Sequence, residues 1–319
     1  MKKSFLLVLL CMMASVLPAQ KKMYVWQGET PTEFEVLTVD SITFADALPT
    51  PPPVPEPLSG LFSVSADKQV QFSTGNLQYT QSTRTWSFAA QQYEFIGTDN
   101  VLGGDVSHDV TYGDSKSGTA LADKIDLFGW SGSTGTAQWG ISTSTSNADY
   151  SGDFADWGQN IGGSTTWRTL TNDEWMYVLN TRANASTLKG VARINLTEDS
   201  SEYANGLILL PDNWTAPAGV TFKSGFASPY GIDEYANYQT FTLADWQKLE
   251  ASGAVFLPAS GGRGGSGVYD VQNDGFYWSA TPYDSDLAYY LYFRSSYADW
   301  YGSYRSYGRA VRLVQDLTK

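Results

Sequence analysis

The pattern of apolar and polar positions predicts two amphipathic helices in this chain. Trp175, Val178 and Leu179 recur at helical spacing behind a Thr-Asn-Asp-Glu capping box, and this pattern predicts a helix from Thr171 to Arg182. A similar cap, followed by three apolar positions and a closing glycine, predicts a second helix from Thr242 to Ser252. Helices therefore account for a small part of the chain.

Alternating apolar and polar residues predict short strands on both sides of the helices. Residues 62–65 and 69–73 form the two halves of an expected hairpin. The other expected strands are 86–88, 93–95, 206–210, 254–257, 277–280, 288–294 and 309–314. Two helices among this many strands, in a chain with 30 glycines and 20 tyrosines, are typical of a β-rich α+β fold.

The first residues have the features of a secretory signal. Two lysines precede an apolar run, and small residues follow, so we expect residues 1–19 to be a signal peptide that is cleaved near Ala19. Cys11, the only cysteine, lies inside the apolar run. Lipidation of Cys11 is the less favoured alternative, because the bulky Leu10 precedes it. After cleavage no cysteine remains, which excludes disulfides, thiolate catalysis and cysteine-metal sites.

Three further segments follow the signal. Residues 20–48 hold alternating apolar residues on both sides of a turn and predict a short β element. Residues 49–58 carry six prolines and predict a stiff linker. Residues 59–319 form the expected main domain. Within it, residues 100–163 are rich in glycine and serine but keep many aromatic residues, which predicts a long packed loop region instead of disorder.

The net charge of the chain is −13 at pH 7. Such an excess of acidic residues repels phosphate backbones and anionic lipids, which argues against nucleic acid and membrane surfaces as partners. The apolar run in the signal is too short to cross a bilayer as a helix, and we expect no membrane-spanning segment. These features favour a protein that is secreted or held at the outer cell surface.

A tyrosine-rich stretch near the end of the chain carries the strongest functional signal. We name residues 283–307 the display region; its 25 residues hold eight tyrosines, five serines and three aspartates. This composition is typical of binding surfaces, because tyrosine gives a large contact area at low rotamer entropy and serine and aspartate give adaptable hydrogen bonds.

Two faces can be distinguished within the display region. Leu291 and Phe293 alternate with Tyr290, Tyr292 and Arg294. A strand at this place would bury the leucine and the phenylalanine and would present the two tyrosines and the arginine outward.

Residues that could support catalysis or metal binding are sparse. His108 is the only histidine, so a zinc site or a nucleophile–histidine pair has no second member. Asp149, Asp153 and Asp156 could supply oxygen ligands for Ca²⁺, but their spacing does not match an EF-hand loop and solvated loop carboxylates are the favoured interpretation. The glycine-rich residues 261–267 lack the ending of a phosphate loop and predict a flexible surface loop. We expect neither enzyme activity nor a cofactor.

Five strings in the main domain resemble a known group of proteins. They are WRTLTNDEW (167–175), LILLPDNW (207–214), ASGAVFLPASGGR (251–263), YWSAT (277–281) and GRAVRLV (308–314). Together they resemble the paralogous secreted domains of Bacteroidetes and Fibrobacteres and the variable proteins diversified by retroelements. Both groups have a C-type-lectin-like fold of the broad type shared with formylglycine-generating enzymes. The resemblance covers residues 59–316.

The resemblance implies a fold and a set of binding residues. The fold would have two helices, small antiparallel sheets, long ordered loops, and the two ends of the domain paired in one sheet. In retroelement-diversified proteins adenines of a template are replaced at random, so Asn codons become codons for Tyr, Ser, Asp, Gly or Arg, whereas Leu291, Phe293 and Trp300 would be the fixed frame. The implied ligand-binding residues are Tyr283, Asp286, Tyr290, Tyr292, Arg294, Tyr297, Asp299, Tyr301, Ser303, Tyr304, Arg305, Ser306 and Tyr307.

The implied function is binding without catalysis. The ligand would be a macromolecule, a protein or glycan on another cell, a phage or a host surface. The activity of formylglycine-generating enzymes is not implied, because it requires cysteines that this chain lacks. Two alternatives remain open, an extracellular glycan-active enzyme with two convergent carboxylates, and a structural adhesin or surface-layer component.

Overall fold

The computed structural model describes residues 22–27, 30–35, 55–97, 109–110, 116–117, 124–162 and 166–317. The expected signal peptide with Cys11, the first part of the expected linker, and His108 lie outside these residues. The chain divides into two compact units, Met1–Pro51 and Pro52–Lys319. No helix among the described residues is long and apolar enough to cross a membrane.

Short strands dominate the described residues, as expected for an α+β fold. The strands are β1 (Lys22–Gln27), β2 (Thr30–Glu35), β3 (Phe62–Ser63), β4 (Gln69–Phe72), β5 (Leu77–Thr80), β6 (Thr85–Phe88), β7 (Asp109–Val110), β8 (Lys116–Ser117), β9 (Lys124–Ile125), β10 (Trp167–Thr169), β11 (Lys189–Asn195), β12 (Tyr203–Leu209), β13 (Thr240–Thr242), β14 (Val255–Pro258), β15 (Gly262–Gly264), β16 (Gly267–Tyr269), β17 (Asp274–Pro282), β18 (Leu287–Arg294), β19 (Tyr297–Tyr304) and β20 (Leu313–Asp316). The helices are α1 (Asn172–Met176), α2 (Glu234–Tyr238) and α3 (Leu243–Ala251).

The first unit contains the antiparallel hairpin β1–β2. Its register runs from Lys22 opposite Glu35 to Gln27 opposite Thr30. The sequence predicted two alternating strands in this segment, and the hairpin confirms them. The turn between them lies outside the described residues.

Both predicted helices are present, and each begins at the predicted cap. The Thr171 hydroxyl accepts a hydrogen bond from the Glu174 amide, and the Glu174 carboxylate accepts one from the Thr171 amide. This capping box starts α1, which continues as a turn of π-helix through Tyr177–Thr181. Thr242 caps α3 in the same way by accepting from the Asp245 amide. Each cap stabilises its helix by about 1 kcal/mol.

The two ends of the main domain meet in one sheet, whose strand order is β10-β20-β4-β3. Val314 lies opposite Phe72, and Gln315 lies opposite Trp167. The expected pairing of the domain ends is therefore confirmed. The last strand begins at Leu313 and not at Arg309, because residues 308–310 make isolated bridges to three different segments.

A second four-stranded sheet, β13-β11-β12-β14, forms an apolar layer that we name the aliphatic sheet. Its residues belong to two hydrophobic clusters, and all of β14 is buried. Helix α3 contributes Trp246 and Leu249 to the second cluster, next to Ile208 and Phe256. Burial on both faces explains why the strings of β12 and β14 are apolar without alternation.

Some elements differ from the sequence-based expectation. Residues 93–95, predicted as a strand, are irregular. Hydrogen bonds that involve side chains hold the residues on both sides: the Gln92 side chain donates to the Ala254 carbonyl, and the Ile96 amide donates to the Asp126 carboxylate. Helix α2 and several strands were not predicted, among them β5, β10, β11, β13 and β19. The glycine-rich residues 261–267 were expected to be a flexible surface loop, but they form most of the hairpin β15–β16, in which Gly262 and Arg263 are buried. The described part of the long loop region, 124–162, is packed as expected, with Trp130, Tyr150 and Trp157 fully buried.

Candidate binding surface

The display region forms strands β18 and β19, which pair with the preceding strand β17 in the antiparallel sheet β17-β18-β19 that we name the tyrosine sheet. In its register Phe276 lies opposite Tyr292, which lies opposite Asp299, and Tyr290 lies opposite Tyr301. Paired residues of an antiparallel sheet share a face, so one face of this sheet carries mainly tyrosines, Asp and Arg. We name it the outer face.

The opposite face anchors the sheet to the core. Leu291, Phe293 and Tyr277 lie in the largest hydrophobic cluster and are almost completely buried. The Phe293 ring packs on Gly275, where a Cβ atom would come within 2.1 Å of the ring. The predicted inward orientation of Leu291 and Phe293 is therefore confirmed, and Gly275 is required by the close approach of the phenylalanine.

Aromatic rings cover much of the outer face. The Phe276 and Tyr292 rings are stacked at 5.1 Å, and the Tyr292 ring meets Tyr297 at 5.6 Å and Tyr301 at 5.8 Å in edge-on geometry. Such pairs add stabilisation beyond the area that they bury. The rings therefore form one connected layer, in which the central Tyr292 is only 8% exposed.

A buried carboxylate fixes the charged groups of the outer face. Asp274 accepts hydrogen bonds from the Tyr292 hydroxyl at 2.8 Å, from the Arg294 guanidinium at 2.9 Å and from the Tyr230 hydroxyl at 3.2 Å. Burial and the neighbouring Asp274 raise the pKa of Tyr292 well above its ordinary value. Burial lowers the pKa of Arg294, but the bond to Asp274 outweighs it, and the net direction is upward. Arg294 is thus held as a fixed cation.

Three tyrosines of the display region are strongly exposed. Tyr283 is 54% exposed, Tyr304 is 52% exposed and Tyr301 is 41% exposed. Tyr283 packs against Tyr289 at 4.9 Å and covers Gly302, so its ring is held although its outer surface is free. Asp286 is also exposed, whereas Tyr290, Arg294, Tyr297, Asp299, Ser303 and Tyr307 are half-buried.

Tyr292, Arg305 and Ser306 differ from the expectation because they are buried. Alternation predicted an outward Tyr292, and the residue does lie on the outer face, but neighbouring rings cover it. Arg305 donates to the carbonyl groups of Asp284 and Gly152, at 2.7 and 3.0 Å, and its guanidinium lies 4.2 Å from the Trp130 ring centre. Arg305 therefore ties the display region to the loop region and is not itself free to meet a ligand.

Sequence reasoning missed Tyr230, which extends the outer face. Its ring lies 3.9 Å from the Arg294 guanidinium, and 41% of the side chain is exposed. The residue belongs to a loop far from the display region in sequence. The available signal was an aromatic residue between Pro229 and Gly231, since exposed aromatics flanked by turn residues are common in binding loops.

The three aspartates considered for Ca²⁺ have separate roles. Asp149 accepts hydrogen bonds from Ser144 and Thr136, and these bonds lower its pKa. Asp156 is half-buried, and the loss of solvation raises its pKa, although it accepts hydrogen bonds from the Gly158 and Thr169 amides. Among the described residues, no three histidine, cysteine, aspartate or glutamate side chains lie close enough together to hold a metal ion. Asp153 therefore has no partners for a Ca²⁺ site within this part of the chain.

One pocket of the described residues lies away from the tyrosine sheet. It has a volume of about 510 Å³ and is formed by residues 195–198 and the start of α3. Glu198 is the single carboxylate in its lining. Hydrolysis of a glycosidic bond by the usual mechanism requires two facing carboxyl groups, so this pocket does not have the chemistry of a glycoside hydrolase.

The tyrosine sheet lies within a segment that matches a protein family. A family described as a domain of unknown function (DUF8237) matches residues 243–314, from α3 to the start of β20. Neither the curated proteins nor the solved structures gave a match to this chain. The matched residues are less than half of the chain, and the description of the family names neither a ligand nor an activity.

Proposed function

We propose that this protein is a non-enzymatic binding protein that recognises a macromolecular ligand with the outer face and rim of the tyrosine sheet. The observation that carries this proposal is the combination of exposed tyrosines with a rigid support. Tyr301 is exposed on the outer face of strands whose other face is locked in the core. Tyr283, in the turn between β17 and β18, and Tyr304, at the end of β19, are exposed at the rim of the same sheet. Exposed aromatic anchors on an ordered frame contribute much binding energy at little entropic cost.

The proposal includes a C-type-lectin-like fold and diversification by a retroelement. The order of two capped helices followed by terminal strands, and the pairing of the domain ends by β20 and β4, support the fold. The separation of Leu291 and Phe293 from the exposed tyrosines supports diversification, because a randomised surface requires a constant frame beneath it. We further propose that the chain is exported by its N-terminal signal and acts at the outer cell surface.

Binding to surface ligands tests the proposal directly. Labelled protein would be applied to intact bacterial cells and to an array of surface glycans, beside the variant Tyr283→Ala/Tyr301→Ala/Tyr304→Ala. The wild-type protein should bind at least one target, and the variant should bind it about 30-fold more weakly because anchor residues dominate such interfaces. Leu61→Ala, which removes an exposed apolar side chain from the residue before β3, is the matched control.

The outcome also separates the alternatives. Equal binding by the triple variant and the wild-type protein would place the ligand elsewhere and contradict the proposal. Self-association of the purified protein without ligand capture would favour a structural surface component. A copy of the gene's 3′ end that differs only at adenines, beside a reverse transcriptase gene, would establish the diversification.

A further inference from the structure

The two edges of the tyrosine sheet differ. Beyond β17, the Trp278 amide donates to the Ala310 carbonyl and the Ala310 amide donates to the Phe276 carbonyl, so a later segment of the chain occupies that edge. Beyond β19, no described residue adds a strand or a backbone bridge. We name this second edge, formed by Tyr297–Tyr304, the open edge.

The phase of the hydrogen bonds shows which backbone groups point off the open edge. In an antiparallel pair, residues that bond to the partner strand alternate with residues that point away from it. The Arg305 amide donates to the Asp286 carbonyl, so in the register of β18 and β19 the odd-numbered residues of β19 bond to β18. Three even-numbered residues point away, namely Ala298, Trp300 and Gly302. The Trp300 amide agrees with this phase, because it donates to the Asp299 carboxylate at 2.9 Å.

Solvent reaches the backbone of the open edge. Gly302 is exposed, and Ala298 is half-buried. Within the part of the chain that the structure describes, their outward amide and carbonyl groups have no backbone partner. An exposed edge of this kind is a template for pairing with another extended chain.

Aromatic side chains lie on both sides of the open edge. Tyr301 is 41% exposed on the outer face. Trp300 lies on the opposite face, is half-buried, and belongs to none of the hydrophobic clusters of the described residues. Tyr283 lies on the same side as Trp300, against Gly302, and is 54% exposed. These rings offer contact surface for the alternate side chains of an added strand.

Asp299 adds a charge to the open edge. None of the ion pairs formed within the described residues includes this carboxylate. A strand with a basic residue opposite Asp299 would therefore be complementary in charge. Two copies of β19 would instead bring two such carboxylates together, which disfavours pairing between copies of this chain.

We propose that the open edge binds an extended segment of a protein ligand, which adds a strand to the tyrosine sheet and places a basic side chain beside Asp299. Only another extended polypeptide repeats amide and carbonyl groups at the spacing of a strand. This inference rests on the proposed binding function and names the chemistry of its ligand. The main-chain bonds contribute affinity that does not depend on which side chains the display region carries.

A random peptide library tests the inference. Peptides roughly ten residues long, the length of a long strand, would be selected on the full chain, and the most enriched one would be synthesised as the probe. In nuclear magnetic resonance experiments it should slow hydrogen–deuterium exchange at the Ala298 and Gly302 amides. The same peptide with N-methyl groups at its central residues keeps its side chains but loses its backbone donors, and it should bind at least about tenfold more weakly. If no peptide is enriched, or if protection appears only elsewhere, the inference is wrong.

A substitution at Ala298 tests the same edge from the protein side. Proline is accepted in edge strands where the amide points outward, so Ala298→Pro removes an edge donor and leaves the bonds to β18 in place. It should weaken binding of the probe peptide by about tenfold, whereas the control Ala298→Ser keeps the amide and should bind as the wild type does. Circular dichroism checks that both variants fold, and the N-methylated peptide decides the question if Ala298→Pro does not.

Three outcomes separate this inference from the proposed function and from other occupants. If folded Ala298→Pro binds the peptide and intact cells as tightly as the wild type, the open edge is not used, although the outer face still is. If cells stripped of surface protein by a proteinase bind the wild type undiminished, the ligand is not a polypeptide and the inference fails. A dimer of the purified protein that Ala298→Pro dissociates would assign the edge to a second copy of the chain and would also overturn it.

Discussion

The aliphatic sheet and the tyrosine sheet belong to one domain but are stabilised in different ways. The aliphatic sheet buries both faces, and close packing of apolar side chains such as Ile208 and Phe256 stabilises it. The tyrosine sheet buries one face in the same manner, through Leu291 and Phe293. Its outer face is held by stacked rings and by an ion pair between the buried Asp274 and the half-buried Arg294.

The difference shows how a protein can separate stability from recognition. Close-packed apolar layers are sensitive to the loss of a single methyl group, whereas a half-exposed tyrosine can be changed with little effect on folding. A sheet with one face of each kind therefore keeps its shape while its surface varies. Four substitutions and conditions test this division, and they follow in order of expected effect.

The largest effect is expected for Ile208→Ala in the aliphatic sheet. Ile208 is fully buried between β11 and β14 and opposite Phe256. Removing its side chain should lower the free energy of unfolding by about 2–5 kcal/mol, because apolar contacts are lost and a cavity remains. Urea denaturation followed by circular dichroism measures this. A loss below about 1 kcal/mol would mean that the packed layer adapts more readily than its burial implies.

Asp274→Asn should have the next largest effect. The change removes the charge that Arg294 and the Tyr292 hydroxyl both contact, and it leaves Arg294 without its acid. The expected loss is about 1–3 kcal/mol, since hydrogen bonds to charged groups are stronger than neutral ones. Asp286→Asn, at an exposed position of the same region, is the control. Equal stabilities of the two variants would show that the ion pair does not hold the outer face.

Alkaline pH should weaken the tyrosine sheet through Tyr292. Burial and the bond to Asp274 raise the pKa of Tyr292, so the folded state retains the phenol proton above pH 10 while the unfolded state loses it. The stabilisation is complete below about pH 10, the ordinary tyrosine value, and is lost progressively as pH rises above it. Tyr292→Phe removes this group, so the free energy of unfolding should fall less steeply with pH above 10. Identical slopes would contradict the assignment.

The smallest effect is expected for Tyr301→Ala. Tyr301 is 41% exposed and meets Tyr292 only edge-on. The change in the free energy of unfolding should stay within about 0.5 kcal/mol, as for most surface substitutions. Thermal melts of Tyr301→Ala and Phe293→Ala compare the two faces of one sheet. If both variants melt equally early, the outer face is part of the core and the separation of roles fails.

Features that depend on neighbouring residues could be predicted from the sequence. The capping box at Thr171 and the side-chain cap at Thr242 each join residues three positions apart, and both helices begin where expected. The inward Leu291 and Phe293 follow from strand alternation alone. Strand β19 was missed because its string, YADWYGSY, carries little of the aliphatic alternation that marks a strand.

Features that depend on distant segments could not be predicted. Alternation placed Tyr292 on the outer face, but its burial depends on Phe276 and Tyr297 as well as on the bond to Asp274. Arg305 looked like a surface residue because nothing in its neighbourhood shows that Trp130 and the Gly152 carbonyl meet it. Position on the outer face and burial there are therefore separate properties, and strand alternation predicts only the first.

The pairing of β4 with β20 has a consequence for the order of folding. Strand β20 lies between β4 and β10 in the sheet but follows both of them in the sequence. Neither β4 nor β10 can therefore complete its pairing until β20 is present. Closing so long a loop is entropically costly, and chains rich in such distant contacts fold slowly. Until β20 arrives, β4 and β10 each present an unpaired edge that another chain could join. The whole tyrosine sheet is therefore synthesised before the sheet that joins the two ends of the main domain can form.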